Sequence, residues 1–452
     1  MILFLTGSPC RKGEDHFTSD NGFLDEVRKA IADVLVDNDL PAILLVSAAP
    51  DDENYNRDVF ASMRQCLDRS GIGYRSIVML ERKNADRARE LVGGSELVFL
   101  CGGHVPTQNR FFHQIGLREI LQHFDGVLIG CSAGSMNCAE DVYSHPEFQG
   151  EVTDPAYRRH LKGLGLTDIN LVPHMEDIWN TVLDGRSLVH DVVLNDSEAR
   201  RFYLIPDGVY VISRDGRTEL RGEAYLIENR NIKQISAEGG TFTFMNAVFI
   251  SPHFPQTYSH FCAMLRQNGV RVFGIGDTNY SNLSAELRAS LDEYYMVNNL
   301  EDYDQVYRAV AYFAFKHGRI DWIESNNEDW LEQDARLRTD FNVTTGLKTD
   351  RIEDIKEKSS MKKFYKAGGI PTARQIKGSE GLEAVLGFAQ TTGYPIIAKP
   401  DNGVGAAGTC KMESEDDVRA YFESYPDDAQ KCVVEEFITG FLVSYDAVVD
   451  SN

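Results

Sequence analysis

The sequence predicts an α/β protein of several domains, and three observations predict it. Short apolar runs alternate with amphipathic helical stretches from the first residue onward, the pattern of a parallel sheet covered on both faces. One strand–turn–helix, 127-VLIGCSAGSMNCAE-140, sets glycines around two adjacent candidate nucleophiles. A fresh βαβ series opens after a polar, glycine-bearing stretch near residue 240. A chain of 452 residues is too long for one ordinary core, so a further domain is expected there.

The strand candidates of the first half are 2-ILFLTG-7, 43-ILLVSAA-49, 74-YRSIVML-80, 96-ELVFLCGG-103 and 126-GVLIGC-131. Amphipathic helices such as 22-GFLDEVRKAIADVL-35 and 84-NADRARELV-92 lie between them. From 202 to 236 the pattern turns to alternating strands with DG and RDG turns, a set of antiparallel hairpins closing one edge. The next series runs strand 247-AVFISPHFP-255, helix 256-QTYSHFCAMLRQNG-269, strand 270-VRVFGIGD-277. From 346 a lysine-rich helix precedes strands around a glycine loop. The expected domains are therefore 1–237, 243–345 and 346–452, and the last still reads as strand at its end, so it is expected to be incomplete.

Composition removes several function classes. Net charge is -23, and no basic patch offsets it, so the surface repels phosphate backbones and anionic lipid. The eight cysteines are scattered, with no CxxC pair and no Cys/His ladder, which argues against a zinc site and a disulfide scaffold. The opening apolar run lacks a basic flank and reads as a buried strand rather than a signal peptide. No run approaches the roughly 18 apolar residues of a membrane span. A soluble, cytoplasmic protein is expected.

Cys131 and Ser132 compete for the apex of the strand–turn–helix. The pattern G-x-S-x-G needs tiny residues two before and two after the apex, because strand and helix approach closely there. Ser132 has Gly130 and Gly134 in those places; Cys131 would have Ile129 and Ala133, and Ile129 would clash. Ser132 is the expected apex. A plain glycine-rich turn without chemistry is the bland reading.

A serine hydroxyl needs a base. His174 follows an apolar strand and a proline in 163-GLGLTDINLVPHME-176, at a strand's carboxyl end, where open α/β sheets place their sites. His145 and His160 lie in polar, loop-like sequence and read as surface residues. An oxyanion needs two aligned N–H donors. Ala133 supplies one; the 101-CGGH-104 turn, through Gly102 and Gly103, is the candidate for the other.

Together GGH…TQNRFF, GCSAGS and GLGL…NLVPHM resemble the peptidase E/cyanophycinase family of serine peptidases, over about residues 1–237. The resemblance implies a class I glutamine-amidotransferase-like fold with serine in place of the amidotransferase cysteine. It further implies Ser132 as nucleophile, His174 as base and a carboxylate from the intervening loop. In 146-PEFQGEVTDP-155 that carboxylate is Glu151 first, Glu147 second, with Asp154 also available. Members of the family cleave dipeptides with an N-terminal acidic residue or isoaspartyl linkages.

In the second half, 392-TGYPIIAKPDNGVGAAGTCKMESEDDV-418 reads strand, glycine loop, strand, helix. Lys399 ends the first strand, and the loop is small enough to fold over phosphates with its N–H groups. With 351-RIEDIKEKSSMKKFYKAGGIPTARQ-375 upstream and 433-VVEEFITG-440 downstream, the region resembles the ATP-grasp carboxylate–amine ligases, preceded by their pre-ATP-grasp α/β domain. The resemblance implies ATP and Mg2+ as cofactors. Lys358 and Lys399 would touch phosphates, Gly403, Gly405 and Gly408 would form the lid, and Glu435, Glu436 and Ile438 would line the adenine. Leu442 stands where the family has an acidic residue for the ribose, and the metal ligands are expected beyond residue 452.

The expected function is a serine-type, dipeptidase-like hydrolase acting through an acyl-enzyme, fused to an ATP-binding, ligase-like region. Its partners are a small peptide and ATP, with no nucleic acid and no membrane; a homo-oligomer is compatible with these features. The alternatives are an amidotransferase-like unit releasing ammonia to a ligase, and a vestigial nucleotide-binding scaffold.

Overall fold

The computed structural model describes residues 1–12, 19–34, 40–198, 200–403, 408–441 and 443. Gly405 and Leu442 lie outside the described residues. The chain forms two compact units, Met1–Met245 with His317–Arg319, and Asn246–Lys316 with Ile320–Asn452.

The first unit is built on an eight-stranded sheet. Five strands run parallel in the order Ser76–Leu80, Ala42–Val46, Leu97–Leu100, Val127–Cys131 and Ile2–Thr6. Successive residues of these strands face opposite sides, and both sides are buried. Leu3, Leu5, Leu44, Val98 and Leu128 enter one core, and Phe4, Ile43, Leu45, Phe99 and Ile129 the other. That is why the runs are continuously apolar rather than alternating. Antiparallel strands Tyr210–Arg214, Arg217–Arg221 and Thr241–Phe244 extend the sheet from its first strand. The sheet thus continues past 237, the expected end of the first domain.

A second sheet in this unit has the order Asn231–Ser236, Ala224–Glu228, Arg201–Leu204 and Leu171–Val172. Here the structure corrects the expected hairpin set. The hairpins 210–221 and 224–236 form, but Arg201–Leu204 does not pair with Tyr210–Arg214 across the DG turn. It pairs in parallel with Leu171–Val172 and antiparallel with Ala224–Glu228, so Asp207-Gly208 is where the chain crosses between sheets.

The second unit contains a parallel sheet, ordered Glu293–Met296, Arg271–Gly276, Asn246–Ile250 and Trp322–Glu324. A separate antiparallel sheet is ordered Gln375–Lys377, Cys432–Glu436, Ile396–Pro400 and Cys410–Met412. The parallel sheet lies within the expected domain 243–345 and the antiparallel sheet within 346–452, and both belong to one compact unit. Among the described residues, no helix is long and apolar enough to cross a membrane.

Candidate active site

Ser132 occupies a strained turn between strand Val127–Cys131 and helix Ala133–Met136, with φ 51° and ψ -115°. Such backbone is costly for a residue with a Cβ and persists only where the surroundings enforce it. The surroundings here are backbone. A Cβ on Gly130 would lie 2.7 Å from Ser135 Cα, and one on Gly134 would lie 2.2 Å from Leu100 O. The buried Ser135 hydroxyl ties the turn down, accepting from Thr6 N–H at 2.8 Å and lying 2.7 Å from Gly130 O. Cys131, by contrast, ends the strand and directs its Sγ to Gly7 O at 3.3 Å, with burial pushing the thiol well above its ordinary range.

His174 Nε2 lies 2.9 Å from Ser132 Oγ, and His174 Nδ1 lies 2.9 Å from Asp207 Oδ1. One tautomer suits both contacts: a proton on Nδ1, beside the carboxylate, leaves the Nε2 lone pair to receive the hydroxyl proton. The two strands of the second sheet produce this pairing. Leu204 stands opposite Val172, Ile205 N–H donates to Val172 O at 3.1 Å, and Met175 N–H donates to Ile205 O at 3.1 Å. The chains leaving the two strand ends therefore run side by side. His174 itself has φ 60°, which turns its ring back from the strand end. Burial disfavours the charged ring, but the hydrogen bond and charge of Asp207 outweigh it and hold the His174 pKa above its ordinary value. Gly7 makes room for the carboxylate: a Cβ there would lie 2.3 Å from Asp207 Oδ1 and 3.3 Å from Pro173 Cβ.

The carboxylate on His174 is thus Asp207, which corrects the expectation of Glu151, Glu147 or Asp154. Glu151 is committed elsewhere, with Oε1 3.0 Å from His104 Nε2 and Oε2 accepting from the Glu147 and Phe148 N–H groups at 2.7 and 3.0 Å. Glu147 accepts from Val105 N–H at 3.3 Å, and its pKa is pushed up to about 7 by burial, with the Glu151 charge adding to it. Asp154 accepts from Ala156 N–H at 2.8 Å in an exposed turn. His145 is buried rather than on the surface, and its Nδ1 lies 3.1 Å from Pro146 O.

The 101–104 turn does reach Ser132. A Cβ on Gly102 would lie 3.2 Å from Ser132 Cβ, and one on Gly103 would lie 2.7 Å from Ala48 Cβ. Tyr55 donates its hydroxyl to Gly102 O, so the trans peptide turns the Gly103 N–H to the opposite side. The Ala133 N–H is the first of its helix, and no carbonyl of that helix accepts from it.

In the second unit, Lys399 Nζ and Lys362 Nζ each lie 2.6 Å from a different oxygen of the buried Glu435. Lys358 donates from Nζ to Gly403 O at 3.0 Å. Asp401 caps the helix Lys358–Ala367, accepting from Ser359 N–H at 2.7 Å and Ser359 Oγ at 2.6 Å. Glu436 points the other way, to Arg374 at 2.7 Å, and Ile438 is exposed. Gly408 has φ 71°. Of the two expected phosphate lysines, Lys399 meets Glu435 and Lys358 bonds Gly403 O instead; Lys362 is the second cation on Glu435, and Glu436 is engaged by its side chain with Arg374. Among the described residues, no group of three or more His, Cys, Asp and Glu side chains could hold a metal ion.

Two family models match. Residues 16–221 match Peptidase family S51, and residues 357–452 match the ATP-binding domain of the carbamoyl-phosphate synthase L chain. The chain joins a peptidase S51 domain to an ATP-grasp domain. Pyruvate carboxylase of Bacillus subtilis (strain 168) is 34% identical over 92 residues, which are 20% of this chain and 8% of that protein. Among solved structures, the biotin carboxylase domain of the Hydrogenobacter thermophilus 2-oxoglutarate carboxylase, in complex with MgADP, ADP and bicarbonate, is 20% identical. It covers 43% of this chain and 44% of its own, with TM-score 0.37. A Listeria monocytogenes EGD-e protein assigned to peptidase E is 12% identical, covers 52% of this chain and 98% of its own, and has TM-score 0.32. The chain spans less than half the length of the carboxylases it matches.

Asp207 is the residue of the peptidase S51 domain that the sequence reading missed. A signal was present. The segments 171-LVPH-174 and 204-LIPD-207 share one pattern, two apolar residues, a proline and an ionisable residue. Reading 204–208 as a DG hairpin turn concealed it.

Proposed function

We propose that the peptidase S51 domain is a serine peptidase that cleaves small peptides through an acyl-enzyme on Ser132. The observation that carries this reading is the row Ser132 Oγ–His174 Nε2 and His174 Nδ1–Asp207 Oδ1, each step 2.9 Å, just past the carboxyl ends of strands Val127–Cys131, Leu171–Val172 and Arg201–Leu204. As Ser132 Oγ attacks the substrate carbonyl, His174 takes its proton, and Asp207 stabilises the imidazolium that forms. The Ala133 and Gly103 N–H groups face the developing oxyanion. His174 then gives its proton to the leaving amine, and a water deprotonated by the same ring releases the acid. Glu151 meets His104 and Glu147 accepts from the Val105 N–H, so neither is the partner of His174 Nδ1.

Cys131 ends the strand, off the apex, and its thiol is pushed above its ordinary range, which disfavours the ammonia-releasing alternative, because a thiol amidotransferase needs a thiolate at the apex. Hydrolysis of a dipeptide panel, including aspartyl and isoaspartyl dipeptides, tests the reading against glutamine with ammonia as readout. Peptide cleavage lost in Ser132→Ala supports the peptidase; ammonia from glutamine, lost in Cys131→Ala, overturns it.

The ATP-grasp domain is read as a nucleotide-binding ligase region. The donor chemistry fits a nucleotide in part: Lys358 presents a cation at Gly403, Lys399 another at Glu435, and Glu435 and Glu436 end strand Cys432–Glu436, with Ile438 two residues beyond it. These residues would hold ATP, with Mg2+ supplying charge neutralisation between its phosphates. The ligase substrates, and the activity of the whole protein, follow from this reading only as a carboxylate and an amine.

A further inference from the structure

The segment after the first strand serves the candidate active site at one end and a thiol pair at the other. Gly7 packs against Asp207 and accepts from Cys131 Sγ. Three residues on, Cys10 Sγ lies 3.6 Å from Cys66 Sγ. Both sulfurs are held in place. Cys10 forms an antiparallel bridge with Phe23, Arg11 N–H donates to Gly22 O at 2.8 Å, and Leu24 N–H donates to Pro9 O at 2.9 Å. Cys66 is buried on helix Glu53–Ser70, and Ser70 Oγ joins the two sides, donating to Cys66 O and accepting from Phe23 N–H, each at 2.7 Å.

We propose that Cys10 and Cys66 form a reversible disulfide with peroxide as oxidant, and that this bond modulates the Ser132–His174 site through residues 7–10. Cys10 is the partly exposed partner, and Cys66 is buried. The contact with Cys66 holds the Cys10 pKa below the ordinary range, while that same contact and burial push Cys66 up. A partly exposed thiol of lowered pKa beside a second, resolving thiol is the arrangement of peroxide-sensing cysteines. The Cys10 thiolate attacks one peroxide oxygen, the O–O bond breaks, and the leaving hydroxide takes a proton to become water. Cys66, losing its proton, then attacks the Cys10 sulfenic acid, forming the S–S bond and expelling a second water. Two thiols lose two electrons and two protons in all, and one peroxide is reduced to two waters. Burial pushes the Cys101 and Cys131 thiols up, which leaves them the slower targets.

Bond formation brings the sulfurs from 3.6 Å to about 2.05 Å. Cys66 sits in the core, so the shorter path is movement of residues 7–10. Gly7 then shifts against Asp207 and His174. The effect on Ser132 rests on the peptidase reading; the disulfide does not.

The full chain is titrated with hydrogen peroxide, quenched by alkylation, digested and mass-mapped, with the rate of fluorophosphonate labelling at Ser132 followed in parallel. The expected result is a Cys10–Cys66 cross-linked peptide, labelling slowed about tenfold or more, and recovery with dithiothreitol. Cys10→Ser and Cys66→Ala should each remove the cross-link and make labelling insensitive to peroxide. Absence of the cross-link, a cross-link without change in labelling, or equal peroxide loss in both variants overturns the proposal. An untreated chain that does not label overturns the peptidase reading and the modulation with it, and the cross-link then stands or falls alone.

Discussion

His174 and Asp207 meet because two short parallel strands both end in an apolar pair followed by proline, and the residues after the prolines come out side by side. Asp207 N–H is held in turn by Glu176 Oε2 at 3.2 Å. Asp207→Asn should lower kcat by about 10²–10⁴-fold, because the imidazolium formed in the transition state loses its charge partner. It should also move the pH profile. Asp207 raises the His174 pKa, and the base must be neutral, so activity rises as pH climbs through that pKa. Removing the charge lowers the pKa and shifts the acidic limb of kcat/KM to lower pH. Glu151→Gln should leave the limb where it is. A shifted limb in Glu151→Gln and not in Asp207→Asn would return the role to the loop.

Gly7→Ala tests the same contact from the other side. The added Cβ would stand 2.3 Å from Asp207 Oδ1, so the carboxylate must leave His174 or the strand end must move. The expected outcome is a loss of about tenfold or more in kcat, with overpacking of about 1–3 kcal/mol in stability. Steady-state kinetics beside a thermal melt separate the two. A fully active, fully stable Gly7→Ala enzyme would mean that Asp207 does not stand where the row requires it.

Much of this was legible in the sequence, and the failures have identifiable causes. The parallel strands were readable because both faces of the sheet are buried, so runs such as 43-ILLV-46 are uninterrupted. The apex was readable because backbone crowding at Gly130 and Gly134 leaves no room for a side chain. The orienting carboxylate was not, because its position depends on a pairing between Leu171–Val172 and Arg201–Leu204, two strands too short for periodicity to resolve. Glu151 was a sound chemical candidate, but His104 and two N–H groups already occupy its oxygens.

The register at the apex is tested by paired substitutions. Ser132→Ala should abolish hydrolysis, whereas Cys131→Ala removes a partly buried thiol that is directed to Gly7 O and should keep most of the activity. Equal loss in both, with both variants folded, would put the apex one residue earlier.

In the ATP-grasp domain, Glu435 joins Lys362 and Lys399 in one buried network, and the lysines hold its pKa below the ordinary range despite its burial. Lys399→Met should weaken ADP binding about tenfold, the loss of one charge-assisted contact. It should also destabilise the domain, because Glu435 keeps only Lys362. Lys358→Met, whose Nζ bonds a carbonyl, should weaken ADP binding with little change in stability. Calorimetric titration with ADP and a thermal melt read both quantities. Unchanged ADP binding in both variants would remove these lysines from the nucleotide site.

The central claim is that Ser132 is a nucleophile activated by His174, and a fluorophosphonate probe addresses it without any assumption about the substrate. The chain is incubated with the probe, digested and mass-mapped. The account predicts one adduct, on Ser132, forming at least about 10²-fold faster than in His174→Ala. It also predicts that the rate rises with pH through the His174 pKa. An unlabelled chain, an adduct on another residue, or equal labelling of His174→Ala would contradict it.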